Sequence, residues 1–379
     1  MLLSKVPAKQ GIITESEAKA RRLHNEHKAR QESKTEGDTE LVNLKKREER
    51  SEMKENAFRK YLKGRKLSAT VIESSVAAVR EFEKYLRKRK TTLKSAGLDV
   101  LRDHISLLIE EEKNSKDRLV AIARYCYLVK RNDLYIYFTG LLGASDVLPG
   151  IGERLATIAG KATHRRVFHD LEMPPLGSPQ DSYPKLTKMV LDRMEAELPA
   201  RTCRHILTWN YHNIPIEAFK ESKERFEKAA SIDEYLKGEH RRLIEELEDC
   251  MREGRPWFEQ EITPEVVEFV RGNQEICTGL RRGDKVYLTK IPYAPKQFLK
   301  EKDPAMRKYY ACHCQLVRTA LRDGKPRIPA TFCYCSAGYE KLHFDAIFGE
   351  PVEVELLETP LKGDARCRFA IKIPKSKMK

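Results

Sequence analysis

Between residues 56 and 143, apolar side chains return every three or four positions, the repeat of α-helices with one buried face. Phe58, Tyr61 and Leu62 make the first such turn. Leu67-Ser68-Ala69-Thr70 reads as a helix start, because a serine ahead of the first turn accepts from a free backbone N–H. Val71, Ile72, Val76, Val79, Phe82, Tyr85 and Leu86 then hold helical spacing as far as the basic run at 87–90. Leu98, Leu101, Ile105, Leu107, Leu108 and Ile109 mark a third helix. Ser115 and Asp117 lead into a fourth, with Leu119, Ile122, Tyr125, Cys126, Leu128 and Val129, and Tyr135, Ile136 and Phe138 open a fifth. The spacing predicts a four- to five-helix bundle over residues 56–145. Residues 1–55 are rich in Lys, Arg, Glu and Ala with few large apolar side chains, and are expected to form a charged helical or disordered arm.

After the bundle, Val147-Leu148-Pro149-Gly150-Ile151-Gly152 fits a helix-hairpin-helix turn or an ordinary connection between helices. Pro174, Pro175, Gly177, Pro179 and Pro184 make 146–184 a hairpin and proline-rich junction. Helical periodicity returns over 185–257. This stretch holds Cys203, His205, Trp209, His212 and Trp257, with Glu259 and Gln260 just beyond, a set more often structural than catalytic. Further on, 285–291, 327–332, 352–357 and 367–373 alternate apolar and polar, as strands do, around a helix expected over 337–349. In that helix Tyr339, Leu342, Phe344, Ile347 and Phe348 make the buried side. The predicted fold is multidomain, α and α+β: the bundle, a helical region, and a cysteine-rich α+β module, with 185–379 as one unit.

Charge changes this picture in one place. The chain carries a formal +15, and residues 56–145 hold 19 Lys and Arg against 10 Asp and Glu. Such an excess on one small bundle is the footprint expected of a nucleic-acid binder. Lys63, Arg65, Lys66, Arg87, Lys88, Arg89, Lys90 and Arg131 are the candidate phosphate contacts, which are salt-sensitive and blind to sequence. No apolar run approaches the ~18 residues of a membrane span. The opening Met1-Leu2-Leu3-Ser4-Lys5-Val6-Pro7 is too briefly apolar for a secretory signal, so a cytoplasmic location without membrane contact is expected.

Nine cysteines are present, and five fall in the last part of the chain: Cys312, Cys314, Cys333, Cys335 and Cys367. In a reducing compartment clustered thiols favour metal over disulfides. Two Cys-x-Cys pairs suit zinc or another soft ion. Neighbouring thiols also suit redox or nucleophilic chemistry, with Arg318 or His313 lowering a thiol pKa, and inert packing is a third reading.

Two family resemblances overlie these readings. Phe58, Tyr61-Leu62, Leu67-Ser68, Val79, Phe82, Tyr85-Leu86, Leu98-Asp99 and Leu101 resemble the core-binding (SAM-like) domain of tyrosine recombinases, the phage-integrase family. That resemblance implies a four-helix bundle that clamps duplex DNA. The family's catalytic set does not follow downstream: the one His-x-x-Arg, at His27 and Arg30, lies in the arm. Cys335-Ser336-Ala337-Gly338, then Phe348-Gly349-Glu350-Pro351-Val352, then Gly363-Asp364 with Cys367, Phe369 and Ile371 resemble the end of the 4-vinyl reductase domain. Thiazoline-carboxylate hydrolase-like proteins are related ligand-binding modules. The resemblance implies a small-molecule module whose cysteines hold zinc, with Cys335 and Cys367 on two family cysteines and Thr359 in place of a third. His313, Tyr339 and His343 are the accompanying ligand-binding candidates.

Two functions remain open on this reading. One is a non-catalytic DNA-binding protein whose C-terminal module holds zinc or a small molecule. The other is a hydrolase or reductase with Cys335 or Cys314 as nucleophile, its bundle serving as a protein-interaction element.

Overall fold

Ser68 accepts from the Val71 N–H and starts a helix that continues for 20 residues, because Ile72, Val76, Val79, Phe82 and Leu86 can all turn to one side. This is α2 (Ala69–Lys88), preceded by α1 (Glu55–Gly64). The bundle is completed by α3 (Leu98–Glu110), α4 (Lys116–Leu128) and α5 (Asn132–Ser145). Phe82, Leu86, Leu101, Ile105, Leu119, Ile122, Leu134 and Phe138 form its core. The structure, a computed structural model, describes residues 54–378, and the arm predicted over 1–55 lies almost wholly outside the described residues. The described chain from Glu55 onward is one compact unit.

The expected hairpin turn at Gly150-Ile151-Gly152 is not where the chain bends. Val147–Phe168 (α6) runs helically through these residues and folds back at Gly160, whose φ of 87° only glycine adopts readily. The two earlier glycines serve close packing. A Cβ on Gly150 would lie 2.9 Å from the Tyr211 ring, and one on Gly152 would lie 3.1 Å from the His164 ring and 3.3 Å from that of Phe168. Asn132–Phe168 is long and apolar enough by composition to cross a membrane. Its apolar residues Leu134, Phe138, Leu141, Val147, Leu148 and Leu155 instead fill the protein core.

Helices α7 (Pro184–Glu197), α8 (Ala200–Leu207), α9 (Lys220–Lys228), α10 (Ile232–Glu253) and α11 (Pro264–Arg271) lead into the α+β part. There β1 (Leu280–Arg282), β2 (Lys285–Thr289), β3 (Val354–Glu358) and β4 (Arg368–Lys372) form an antiparallel sheet of order β1-β2-β4-β3. Short helices α12 (Pro295–Lys300), α13 (Pro304–Ala311) and α14 (Arg318–Asp323) precede α15 (Tyr334–Phe348). Val286, Leu288 and Ile371 pack on Ile232, Tyr235 and Leu236 of α10 and on Phe344, Ile347 and Phe348 of α15.

Two expectations fail here. Residues 327–332 are not a strand: Pro329 lacks an N–H for a ladder, and Ala330–Cys333 form a 3₁₀ turn that enters α15. Tyr339 is not on the buried side of α15 but 37% exposed. The proline-rich junction does not divide the core either. Residues of α6, α7 and α8 share one apolar cluster with Cys312, Leu316, Val317, Ala320, Phe332 and Cys335.

Candidate functional site

Four chain segments meet where the sheet ends. The backbone N–H of Lys290, just past β2, donates to the carbonyl of Cys367, just before β4, at 3.0 Å. Cys312 and Cys314 follow α13, where the chain leaves the helix before entering α14. Cys333 ends the 3₁₀ turn and Cys335 lies in the first turn of α15. A fourth loop brings Thr359, fully buried, so that its hydroxyl oxygen is 2.7 Å from the Cys333 sulfur. That loop is closed by the Gly-Asp pair. Gly363 takes φ of 104°, the Asp364 carboxylate accepts from the Thr359 N–H at 2.8 Å, and the Asp364 N–H donates back to the Thr359 carbonyl.

The five thiols lie near enough for ionisation of one to be felt by others. Ionising Cys312 opposes ionisation of Cys314, Cys333 and Cys367, and Cys335 acts likewise on Cys314 and Cys333. Burial pushes all five thiols up, Cys335 to about 12, with Lys290 pulling back on Cys312, Cys314, Cys335 and Cys367. They are therefore neutral thiols at neutral pH. Among the described residues, no three His, Cys, Asp or Glu side chains already surround one point as a bound metal requires. Metal binding would draw the sulfurs together and release their protons.

Beside the thiols sits a charged pair. The Lys290 ammonium donates to Glu340 at 3.0 Å and to the Ser336 hydroxyl at 3.2 Å, over the Tyr339 ring at 4.8 Å. Burial is the largest influence and works against its charge, but Glu340, Tyr339 and Cys367 together outweigh it and raise its pKa. His313 is enclosed and kept neutral by burial and by the charge on Lys290. Its Nε2 lies 2.6 Å from the Ile291 carbonyl, which can only accept, so Nε2 carries the proton and Nδ1 is the basic nitrogen.

Residues 266–379 match a family of unknown function, DUF6144. No curated protein and no solved structure matches the chain. The matched segment contains the five thiols, Lys290, His313, Thr359 and the Gly363-Asp364 turn.

His343 does not join this group. It hydrogen-bonds the Tyr235 hydroxyl at 2.9 Å between aromatic neighbours Phe219 and Phe344, and burial lowers its pKa to about 4. Tyr339 stands at the group's edge, with His212 edge-on to its ring. Glu259 and His212 came from the set read as structural, yet both feel the charge on Lys290. Of the rest, Cys203 is buried and donates to the Met194 carbonyl, and Trp209 carries the Arg154 guanidinium on its ring at 3.7 Å. Pattern reading missed Lys290 because a single lysine at a strand end carries no local signal. A separate surface cleft of about 400 Å³, lined by residues that include Cys203, Arg204, Thr331, Tyr334 and Lys362, contains none of the five thiols.

In the bundle Lys63, Arg65 and Lys66 are exposed in the last turn of α1 and just past it, and Arg87, Lys88, Arg89 and Lys90 are exposed at the end of α2. Arg89 is paired with Asp103 at 3.1 Å. Arg131 is not a free phosphate contact. Its guanidinium holds Asp133 at 2.7 Å and the carbonyls of Leu93 and Ala96, tying the loop before α3 to α5.

Proposed function

We propose that the C-terminal module is a soft-metal site, with zinc the first candidate, built from Cys312, Cys314, Cys333, Cys335 and Cys367. The observation that carries it is the gathering of five thiols from separate segments, four of them buried and Cys314 half-buried. Their donor chemistry fits the ion: thiolates are soft ligands, and four of them around a dication leave negative charge that the neighbouring Lys290 offsets. His313 offers Nδ1 as a further donor, its other nitrogen already donating to a backbone carbonyl, as metal-binding histidines do. When bound, the metal would act as a structural clamp on the three segments that carry the cysteines. Thr359 would keep its hydroxyl against Cys333.

The same reading takes the bundle as a DNA-contacting part, supported by the basic excess over 56–145 and by the exposure of Lys63, Arg65, Lys66 and Arg87 to Lys90. The module would then report metal or ligand status to a DNA-bound partner domain, in the cytoplasm where thiols stay reduced. Use of Cys335 or Cys314 as a nucleophile has less support, since attack needs a thiolate and burial disfavours it at both.

The test is metal analysis of protein purified anaerobically under reducing conditions. Stoichiometric soft metal is expected, and it should be lost when Cys312, Cys333 and Cys367 are each changed to Ser. Protein that holds no metal after zinc reconstitution and dialysis would remove the reading.

A further inference from the structure

We propose that the surface cleft between α8, the 3₁₀ turn that enters α15 and the loop after β3 binds a small organic anion, a carboxylate or a phosphate ester on a flat apolar body. This stands whether or not the thiols hold metal.

The cleft has a volume of about 400 Å³, within the range of small-molecule sites. Its walls are held from behind. Cys203 and Leu356 are buried, and Leu198 and Tyr334 pack against the core shared by α6, α7 and α8. With Ala200 and Ala330 these side chains give an apolar lining, and the Tyr334 ring adds a flat surface.

The charges that line the cleft are not neutralised by one another. The Arg204 guanidinium lies 5.9 Å from the centre of the Tyr334 ring, and only its Nε–H is engaged, donating to the Ala200 carbonyl at 3.3 Å. Its two terminal nitrogens have no hydrogen-bond partner among the described residues. The Lys362 ammonium donates to the Leu356 carbonyl at 3.3 Å, which leaves two of its three hydrogens. Neither cation forms an ion pair among the described residues, and neither does Glu195, the one carboxylate in the lining. The Thr331 hydroxyl is likewise without a protein partner among them. Two cations against one carboxylate therefore face a recess with apolar walls, where their field is focused. Guanidinium and ammonium so placed match the oxygens of a carboxylate or phosphate, and the lining takes the apolar body. Glu195, whose charge also opposes ionisation of Cys203, would repel that anion.

Saturation-transfer NMR on the full chain follows titration with benzoate and with phenyl phosphate. Benzylamine, of opposite charge, and acetate, without the ring, are the counterparts. Saturable binding is expected for at least one aromatic anion and for neither counterpart, and the stronger of the two arms identifies the anionic group. Arg204→Gln and Lys362→Gln should each raise its Kd about tenfold, as loss of a charge-assisted contact does, whereas Glu195→Gln should lower it. All three side chains are exposed, so the fold should survive each change. Saturable binding of neither anion, equal binding of benzylamine, or a Kd unmoved by both Arg204→Gln and Lys362→Gln would overturn the proposal.

Discussion

Burial of five thiols has a consequence that can be read by titration. Each has a native pKa above its usual value of 9.0, Cys335 at about 12, so the native state holds these protons longer than the unfolded chain does. Their contribution to stability is complete below about pH 9 and is lost as pH rises towards 12. Metal-free protein should therefore lose stability steeply above about pH 9, and Cys335→Ala should lessen the slope. Denaturant unfolding at stepped pH checks this, and a slope unchanged by the substitution would mean Cys335 is not so enclosed. Metal affinity should move the opposite way, rising with pH because the ligands must shed protons. At this scale the thiols were legible, since clustered Cys-x-Cys pairs stand out in any chain. Lys290 and Glu259 were not, because their meaning comes from burial and from partners far away in sequence.

Among the elements, α15 approaches another backbone closely at Gly338. A Cβ on Gly338 would lie 2.3 Å from the Trp209 nitrogen and 2.7 Å from its carbonyl oxygen, backbone atoms that cannot swing aside. Gly338→Ala should cost at least about 2 kcal/mol and should disturb the thiols at the start of the same helix. A chemical denaturation midpoint within error of the parent would show that the 208–209 segment yields. Helices with strong stripes, such as α2 with Ile72, Val76 and Val79, could be read directly from sequence. Residues 327–332 misled because alternation also occurs where Pro329 opens a 3₁₀ turn. The bend of α6 was misplaced because Gly150 and Gly152 resemble turn glycines, whereas packing explains them and Gly160 makes the turn.

For the whole molecule, the multidomain α and α+β layout followed from the change of period along the chain, from helical spacing to alternation. The shared core of α6, α7 and α8 with the Cys312–Cys335 region did not, because no local pattern records which faces meet. The basic groups at the end of α1 and at the end of α2 are separated by that 20-residue helix, a length of ~30 Å. They would engage DNA at two separate sets of phosphates rather than through one patch. Gel shifts on unrelated duplexes should show binding that weakens steeply with salt. Replacing Lys63, Arg65 and Lys66 by Ala should lower affinity on every sequence and reduce the salt slope by about one for each phosphate left without its cation. No shift at low salt would favour a protein-interaction role for the bundle.

The central claim, that the five thiols can close on one soft ion, is tested most directly by titrating the reduced, metal-free protein with cobalt(II) and recording its absorption spectrum. The account predicts a saturating thiolate-to-cobalt charge-transfer band, displaced by zinc and progressively weakened by Cys333→Ser and Cys367→Ser. A spectrum without that band, or one indifferent to both substitutions, would contradict it.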